Sequence, residues 1–579
     1  MTMLTKWGAA LDRSCPLPEY PRPQLRRESF YNLNGVWDYA ITPSGDEPEV
    51  WDGEIVVPFS PEAPLSGAAR GPAKDEYLHY RRGFTLPEGF QKSRVLLHFG
   101  AVDQIAEVFV NGVSAAKHSG GYWPFSADIT SLLREGENIL RVTVRDNADD
   151  PTFAYGKQRY KRGGMWYTAQ SGIWQTVWLE SVPEVYVKSL RITPEFDEAR
   201  VRIELETALE SSAAITCDVR AANGSFVAGS WAKGGVCVVP LPGFRAWTPD
   251  DPYLYTLDIT CGEDRVESYF AMRKFSYVEL GGHKVFGLNN APLFHNGLLD
   301  QGYYPDGLLT PPSDEAMVSD IETMKRCGFN MLRKHIKIEP LRWYYHCDRL
   351  GMIVWQDMVS GGQPYSFLHV SALPTLGKVD LPDQDAKPYG RSGVLSRARF
   401  RREMADTVRL LYNCPCIALW TVFNEGWGQF DALDMANELK KVDPTRFIDH
   451  ASGWQDQGYE EMKSRHIYFR PVKLKNDGRA LALTEYGGYI LAVDGHRWTD
   501  KVFGYRICRN SAALAHDYEK LMLGQVLPHI RKEGLTAAVY TQITDVEEEL
   551  NGLMTYDREV LKIPEETLRE INAALRFDA

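Results

Sequence analysis

The sequence predicts a three-part chain: an N-terminal jelly-roll β-sandwich over residues 1–183, an immunoglobulin-like β-sandwich over 184–276, and a C-terminal (β/α)8 TIM barrel over 277–579. Three observations predict it. Up to residue 276 the chain carries short alternating segments broken by turn signals, the pattern of half-buried antiparallel strands. From about residue 277 strand-like runs alternate with helical ones. Several of those later runs are apolar throughout, as strands buried on both faces must be, yet two of them end in a glutamate.

In the first block, residues 95–99, 106–110 and 139–144 read as strands, with turns at Asn111-Gly112 and Gly120-Gly121. That spacing fits a sandwich or jelly roll. The block is rich in aromatic residues: Trp37, Tyr122, Trp123, Trp166, Trp174 and Trp178. Such rings stack on sugars or fill sandwich cores, and the core is the expectation here. The second block repeats the strand pattern at 201–205, 214–219 and 255–259. Its length suits an immunoglobulin-like sandwich. It holds no cluster of chemically active residues, which makes it a spacer.

Eight strands are expected in the third block, at residues 293–299, 330–335, 352–357, 417–424, 446–450, 466–470, 481–484 and 537–543. Amphipathic helices between them include 313–327 and 397–412. The first opens with Ser313 as N-cap and places Asp314 and Glu315 where the helix dipole favours acids. Residues 360–395, with Gly361-Gly362, Pro364, Pro374, Pro382 and Pro388, are too long for a plain connection. They are expected to cover the barrel mouth and shape a pocket.

Composition narrows the function. With 44% hydrophobic and 25% charged residues, the 579-residue chain has the make-up of a globular protein. A net charge of −12 excludes the basic footprint of a nucleic-acid binder. No apolar run reaches the ~18 residues of a membrane span, and the N-terminus lacks the pattern of a signal peptide. Nine scattered cysteines, an odd count, argue against a disulfide framework and point to the cytoplasm. Cys414 and Cys416 flank a proline but have no second Cys/His pair at ligand spacing, so no metal is expected.

The glutamates carry the functional argument. Glu425 ends the run Cys416-Ile-Ala-Leu-Trp-Thr-Val-Phe-Asn-Glu425, after the fourth strand; Glu485 follows Leu481-Ala-Leu-Thr484, after the seventh. The C-terminal strand ends of a TIM barrel form its active-site mouth. Two carboxylates facing each other there are the machinery for breaking a glycosidic bond. Asp449, His450 and Ser452 invite comparison with a hydrolase triad, but neighbours on one strand point to alternate faces and do not converge.

The chain resembles glycoside hydrolase family 2, the β-galactosidase, β-glucuronidase and β-mannosidase group. The resemblance rests on strings spread through all three blocks: Asn32-Leu-Asn-Gly-Val-Trp37, Ser171-Gly-Ile-Trp-Gln-Thr-Val-Trp-Leu179, Trp247-Thr-Pro-Asp-Asp-Pro-Tyr-Leu-Tyr255, Phe270-Ala-Met-Arg-Lys274, Gly328-Phe-Asn-Met-Leu-Arg-Lys-His335, Cys347-Asp-Arg-Leu-Gly-Met-Ile-Val-Trp-Gln-Asp357 and Asn424-Glu-Gly-Trp427. It implies a retaining, exo-acting mechanism with Glu425 as general acid/base and Glu485, in Thr484-Glu-Tyr-Gly487, as nucleophile. By the same resemblance Asn424 meets the sugar 2-hydroxyl and Tyr468 donates to the nucleophile. Arg333 is a buried charge partner of the nucleophile and His335 a contact to a sugar hydroxyl, although Arg333-Lys-His335 is one residue shorter than the family's pattern. Trp427 is expected to cover Glu425. Asp103 resembles a jelly-roll residue that reaches the substrate, and Trp498 and Tyr505, like Asp300 and Gln301, are expected to line the pocket.

The resemblance implies a small carbohydrate or glycoside as substrate, with no nucleic acid and no membrane as partner, and no cofactor. Relatives often assemble as dimers or tetramers, so a homo-oligomer stays open. A β-galactosidase-like activity is expected first, because the Asn-x-Lys motif of β-glucuronidases is not evident in Asn551-Gly-Leu-Met-Thr-Tyr-Asp-Arg558. β-Glucuronidase comes second, with Arg470 or Lys473 as a substitute for that lysine, and β-mannosidase third. A non-catalytic carbohydrate-binding protein is the alternative from another class.

Overall fold

The computed structural model describes residues 3–209, 214–376 and 380–578. The N-terminal sandwich packs a four-stranded sheet, ordered Phe30–Asn32, Val177–Val182, Arg94–Phe99, Phe125–Asp128, against a six-stranded sheet built around Tyr77–Phe84 and Asn138–Arg145. Both sheets are antiparallel, and their inward residues, among them Trp37, Tyr80, Leu97 and Val142, form one core. Asn111 and Gly112 both take positive φ, the hairpin geometry that matches strand twist. The second sandwich pairs a three-stranded with a four-stranded sheet around a separate core that includes Ile203, Val219 and Leu257.

The C-terminal part is the barrel. Its strands are His295–Asp300, Met331–Lys334, Ile353–Asp357, Ile417–Thr421, Phe447–Asp449, Met462–Ile467, Ala480–Gly487 and Leu535–Thr541, here barrel strands 1 to 8. All neighbouring pairs are parallel, in the order 5-4-3-2-1-8-7-6. The ladder is open only between strands 5 and 6, where side chains close it: Ser464 donates to Asp449 at 2.9 Å and to the Ala451 carbonyl at 3.0 Å. Below the barrel, the hairpin Phe275–Leu280/His283–Leu288 pushes Phe286 against Trp355 and Phe447, plugging the N-terminal end.

One expected strand is displaced. The sixth lies at Met462–Ile467 rather than at 466–470, so Tyr468 sits just past the strand end. The polar run Lys463-Ser-Arg-His466 concealed it: Ser464 and His466 point inward because they hydrogen-bond across the seam and the mouth, not because they are apolar. The strand 4 ladder also stops at Thr421, three residues early, and an isolated bridge between Asn424 and Ser452 carries the chain on. The helix Asp314–Arg326 begins as expected, with the Ser313 hydroxyl accepting from the Ala316 amide.

The jelly roll and the barrel share their largest core. Tyr122, Trp123, Tyr155, Tyr167 and Trp174 join the barrel's Ile338, Tyr344, Phe400, Trp420 and Trp427 in one buried cluster. Hydrogen bonds cross the same boundary, from Trp123 to Thr407 at 3.2 Å and from Tyr155 to the Gly362 carbonyl at 2.8 Å. The spacer sandwich meets the barrel through polar contacts, such as the Ile192 amide on Asn413 and Tyr269 on Asp348, and through Trp247 and Ala271, which join the apolar cluster at the base of the barrel. Among the described residues no helix is long and apolar enough to cross a membrane.

Candidate active site

The chain leaves barrel strands 2, 4 and 6 through Ile336, Glu425 and Phe469, each with positive φ. A left-handed backbone costs a non-glycine residue about 1–2 kcal/mol. Glu425 is held there by its amide on the Ser452 carbonyl at 2.9 Å and by Trp454, whose indole N–H reaches the Glu425 carbonyl at 2.8 Å. The turn aims the Glu425 carboxyl across the mouth at Glu485, inside strand 7. One oxygen of each, with a ring nitrogen of His466, lie within 4.8 Å of one another.

The two carboxyls have opposite surroundings. Glu485 is 5% exposed; its Oε1 accepts from Arg333 Nη1 at 3.1 Å and its Oε2 from the Tyr468 hydroxyl at 2.7 Å. Burial raises the Tyr468 phenol well above its usual range, so it keeps its proton to donate. Arg333 is fully buried and also grips Asp357 through two bonds of 2.9 and 3.0 Å and Asn424 Oδ1 at 2.8 Å. Burial works against the Asp357 charge, but Arg333 and His335 outweigh it and hold this carboxyl at about 2. Glu425 takes the other course. Burial raises its carboxyl above the ordinary glutamate range, and the positive ends of Lys157, His335 and Arg333 offset that only in part.

His466 joins the pair. Its Nδ1 lies 2.8 Å from Glu425 Oε1 and 3.6 Å from Glu485 Oε2. Burial lowers the ring to about 3, so it is neutral. Nε2 faces Arg333 Nη1, a group that only donates, at 3.5 Å, which leaves Nδ1 as the protonated nitrogen aimed at Glu425. Gly453 permits this approach: a Cβ there would stand 2.5 Å from the imidazole Cγ. Glu425, His466 and Glu485 are also the one set of acids and histidines among the described residues close enough to share a cation. With Nδ1–H donating and both oxygens of Glu485 already accepting, the donor set is arranged for proton handling rather than ligation.

The structure therefore brings Arg333, His335, Asn424, Glu425, Tyr468 and Glu485 together. His335 is fixed by its Nδ1 on Asp357 at 2.7 Å. Trp427 is 5% exposed and lies in the wall, 5.1 Å edge-on from Trp166 and 5.8 Å from Tyr155. Tyr505 stacks on Tyr468 at 3.8 Å. Trp454 donates to both Glu425 and Val370, so the segment 360–395 does reach the mouth.

Two expected residues fall elsewhere. Asp103 is buried inside the jelly roll, its carboxylate on Gln158 at 3.0 Å, because the Gly121 backbone closes over it. Trp498 is half-buried at the rim under the Arg162 guanidinium at 4.2 Å, not beside the glutamates. Asp300 is occupied by Lys334 at 2.6 Å. Asp449, His450 and Ser452 form no triad: Asp449 holds Ser464, His450 faces Asp456 and Ser452 contacts Thr484. Sequence reasoning missed His466, Asp357 and Lys157. His466 had a signal, since it precedes Tyr468 by two positions and so shares its side of an extended chain.

Comparison with known proteins agrees with the three-part fold. The profiles "Glycosyl hydrolases family 2, sugar binding domain", "Glycosyl hydrolases family 2" and "Glycosyl hydrolases family 2, TIM barrel domain" match residues 64–183, 185–273 and 311–473. A β-galactosidase of Halalkalibacterium halodurans is 23% identical over 502 residues, 78% of this chain and 45% of its own length. Human β-glucuronidase is 23% identical over 513 residues, 78% of this chain and 73% of its own. The chain spans less than half the length of the first curated relatives it matches. Among solved structures, a β-glucuronidase from an uncultured Clostridium superposes with a TM-score of 0.74 at 18% identity, covering 95% of this chain and 99% of that one. A β-galacturonidase from Eisenbergiella tayi gives 0.71 at 18%, covering 96% and 99%. Three consecutive family profiles, on a jelly roll, an immunoglobulin-like sandwich and a TIM barrel with two facing glutamates, show that this chain belongs to glycoside hydrolase family 2.

Proposed function

We propose that the protein is a retaining exo-β-glycosidase with Glu485 as nucleophile and Glu425 as acid/base. The observation that carries this reading is the pair's separation and asymmetry: oxygens within 4.8 Å, one carboxyl raised by burial and the other gripped by Arg333 and Tyr468. Retaining enzymes need carboxyls ~5–5.5 Å apart, because one attacks carbon while the other serves the leaving oxygen. Glu485 attacks the anomeric carbon, Glu425 gives its proton to the departing oxygen, and a covalent glycosyl-enzyme forms. Esterified Glu485 has lost its charge, so Glu425 then gives up a proton more readily and takes one from the attacking water. Asn424, its amide oxygen held by Arg333, turns its NH2 to the sugar 2-hydroxyl.

The sugar divides two readings. A β-galactoside is supported by the missing Asn-x-Lys motif and by relatives named β-galactosidase. An acidic sugar is supported by structures named β-glucuronidase and β-galacturonidase, similar over nearly their whole length, and by the charge of Lys157, which acts on Glu425. Nine free cysteines, eight of them buried, fit work in a reducing compartment such as the cytoplasm. The test is the anomer of the first product from a nitrophenyl β-glycoside, followed by proton NMR, with Glu485→Ala as control. The β-anomer appearing first, and silence from the variant, are expected. The α-anomer first, or an unimpaired variant, would end the reading.

A further inference from the structure

The Glu425 carboxyl has one hydrogen-bond partner among the described residues. His466 Nδ1 lies 2.8 Å from Oε1, while Oε2 has no partner among them and 23% of the side chain is open to the mouth. Glu485 Oε2, 3.6 Å from Nδ1, is beyond hydrogen-bonding range and already accepts from Tyr468, so the Nδ1 proton has a single acceptor. Nε2 stands between Arg333 Nη1 at 3.5 Å and the Ser452 hydroxyl at 3.3 Å, both able to donate to it. The fold fixes the ring in this pose. His466 is 4% exposed, its amide donates to the Gly453 carbonyl at 3.3 Å, and Trp454 crosses the ring at 70°, 5.5 Å away.

The other titratable groups facing Glu425 act on it without such a bond. Lys157, His335 and Arg333 favour its charged form from a distance. Glu485 stands opposite, and the phenols of Tyr365, Tyr468 and Tyr505 keep their protons because they are buried. The one group in contact is thus a neutral donor. A cation there would hold Glu425 ionised and strip the resting enzyme of its acid. A neutral N–H leaves the carboxyl able to keep its proton. Once the carboxylate forms, the same bond becomes charge-assisted and roughly twice as strong.

We propose that His466 is a positioning residue for the acid/base: its Nδ1–H occupies Oε1 of Glu425, confines the catalytic proton to Oε2, and tightens as that proton leaves for the glycosidic oxygen. As the bond from the anomeric carbon to that oxygen breaks, its electron pair stays on the oxygen, which takes the Oε2 proton. Glu425 is then a carboxylate with one oxygen held by His466. In the second half of the cycle Oε2 takes a proton back from the attacking water, while Oε1 stays where the imidazole keeps it. His466 touches no reacting atom; it works through Glu425.

The inference deepens the acid/base reading of Glu425 and rests on it, and the experiment separates the two. The full chain, Glu425→Gln, His466→Asn and His466→Leu are compared by pH profile on a nitrophenyl β-glycoside and on the alkyl β-glycoside of the same sugar. Asparagine and leucine have nearly the same shape, and only asparagine keeps an N–H near the place of Nδ1, so their difference reports the donor. Without the donor the charged carboxyl is harder to reach. In His466→Leu the alkaline limb of kcat/KM should move up by about one to two pH units. Its kcat on the alkyl glycoside should fall about 10–100-fold with KM little changed, and much less on the nitrophenyl glycoside. His466→Asn should recover most of both effects. A purely structural role predicts the opposite shift, because loosened packing admits water and lets the carboxyl drift down towards its ordinary value. An alkaline limb that stays put or moves down in His466→Leu, with Glu425→Gln lacking it, overturns the proposal and leaves the acid/base reading intact. A limb that persists in Glu425→Gln sinks that reading and the proposal with it. Should no glycoside turn over, the carboxyl C=O stretch in the infrared difference between wild type and Glu425→Gln still titrates Glu425. A midpoint raised in His466→Leu and restored in His466→Asn upholds the contact, and an unchanged midpoint refutes it.

Discussion

Glu425 owes its role to a neighbourhood no short motif encodes. Its strained turn, the Trp454 anchor and the neutral His466 fix where its proton points. Replacing it with glutamine should lower kcat by about 10²–10⁴ on substrates with a poor leaving group and much less on activated nitrophenyl glycosides, because only the former need the acid. On the proposed assignment the same raised carboxyl should set the alkaline limb of the kcat/KM profile, and glutamine should abolish that limb. Arg333 answers to Asp357, Glu485 and Asn424 at once, so Arg333→Met leaves two buried carboxylates without a guanidinium, with His335 and Tyr468 their remaining partners. The expected cost is about 3–5 kcal/mol, read as a drop in the chemical-denaturation midpoint. Both glutamates, Arg333 and Tyr468 were legible in the sequence because each ends or adjoins a strand whose register is set by apolar neighbours. His466 was harder to see. It owes its place to a glycine thirteen residues earlier, and its spacing of two from Tyr468 marks only which side of the chain it takes.

At the scale of elements, the barrel's strands were legible to within a few residues wherever apolar side chains face both ways. Strand 6 was displaced because the side chains that close its seam are polar. The helix Asp314–Arg326 was clearer, its cap and acidic first turn being local features. Ser313→Ala should therefore cost about 1 kcal/mol in thermal stability without touching the mouth. The jelly-roll strand Asn138–Arg145 is followed by Asp146, whose two carboxylate oxygens are buried without a partner among the described residues. Burial, with Asp103 and Glu62 nearby, raises its carboxyl well above the ordinary value, while Glu62 and Asp103 are themselves pushed up to about 7. Such a group stabilises the fold fully below its unfolded pKa of about 3.9 and loses that contribution as pH climbs through the folded value. Asp146→Asn should thus change little at pH 4 and gain about 1–3 kcal/mol at pH 8, measured by thermal unfolding across that range. An advantage confined to acid would contradict it.

For the whole molecule, the informative feature is the core that ignores the boundary between jelly roll and barrel. The blocks were legible because their hydrophobic periods differ; the fusion of two of them was not, since aromatic residues such as Trp123 and Tyr155 read alike as sandwich core or as interface. With one cluster running from Tyr122 to Trp427, jelly roll and barrel should melt in a single calorimetric transition. The spacer sandwich has its own core but also sends Trp247 and Ala271 into the apolar cluster at the base of the barrel. Two well-resolved transitions assigned by fragment labelling to jelly roll and barrel would refute this. The shared core also bears on how the chain is made. A ribosome releases the jelly roll well before Phe400 and Trp420 exist to receive it, and at about 5–20 residues per second that interval lasts many seconds. Throughout synthesis the sandwich must hold an oily face open to the cell, so transcripts cut short before the barrel is complete should yield aggregates rather than a usable lectin-like fragment.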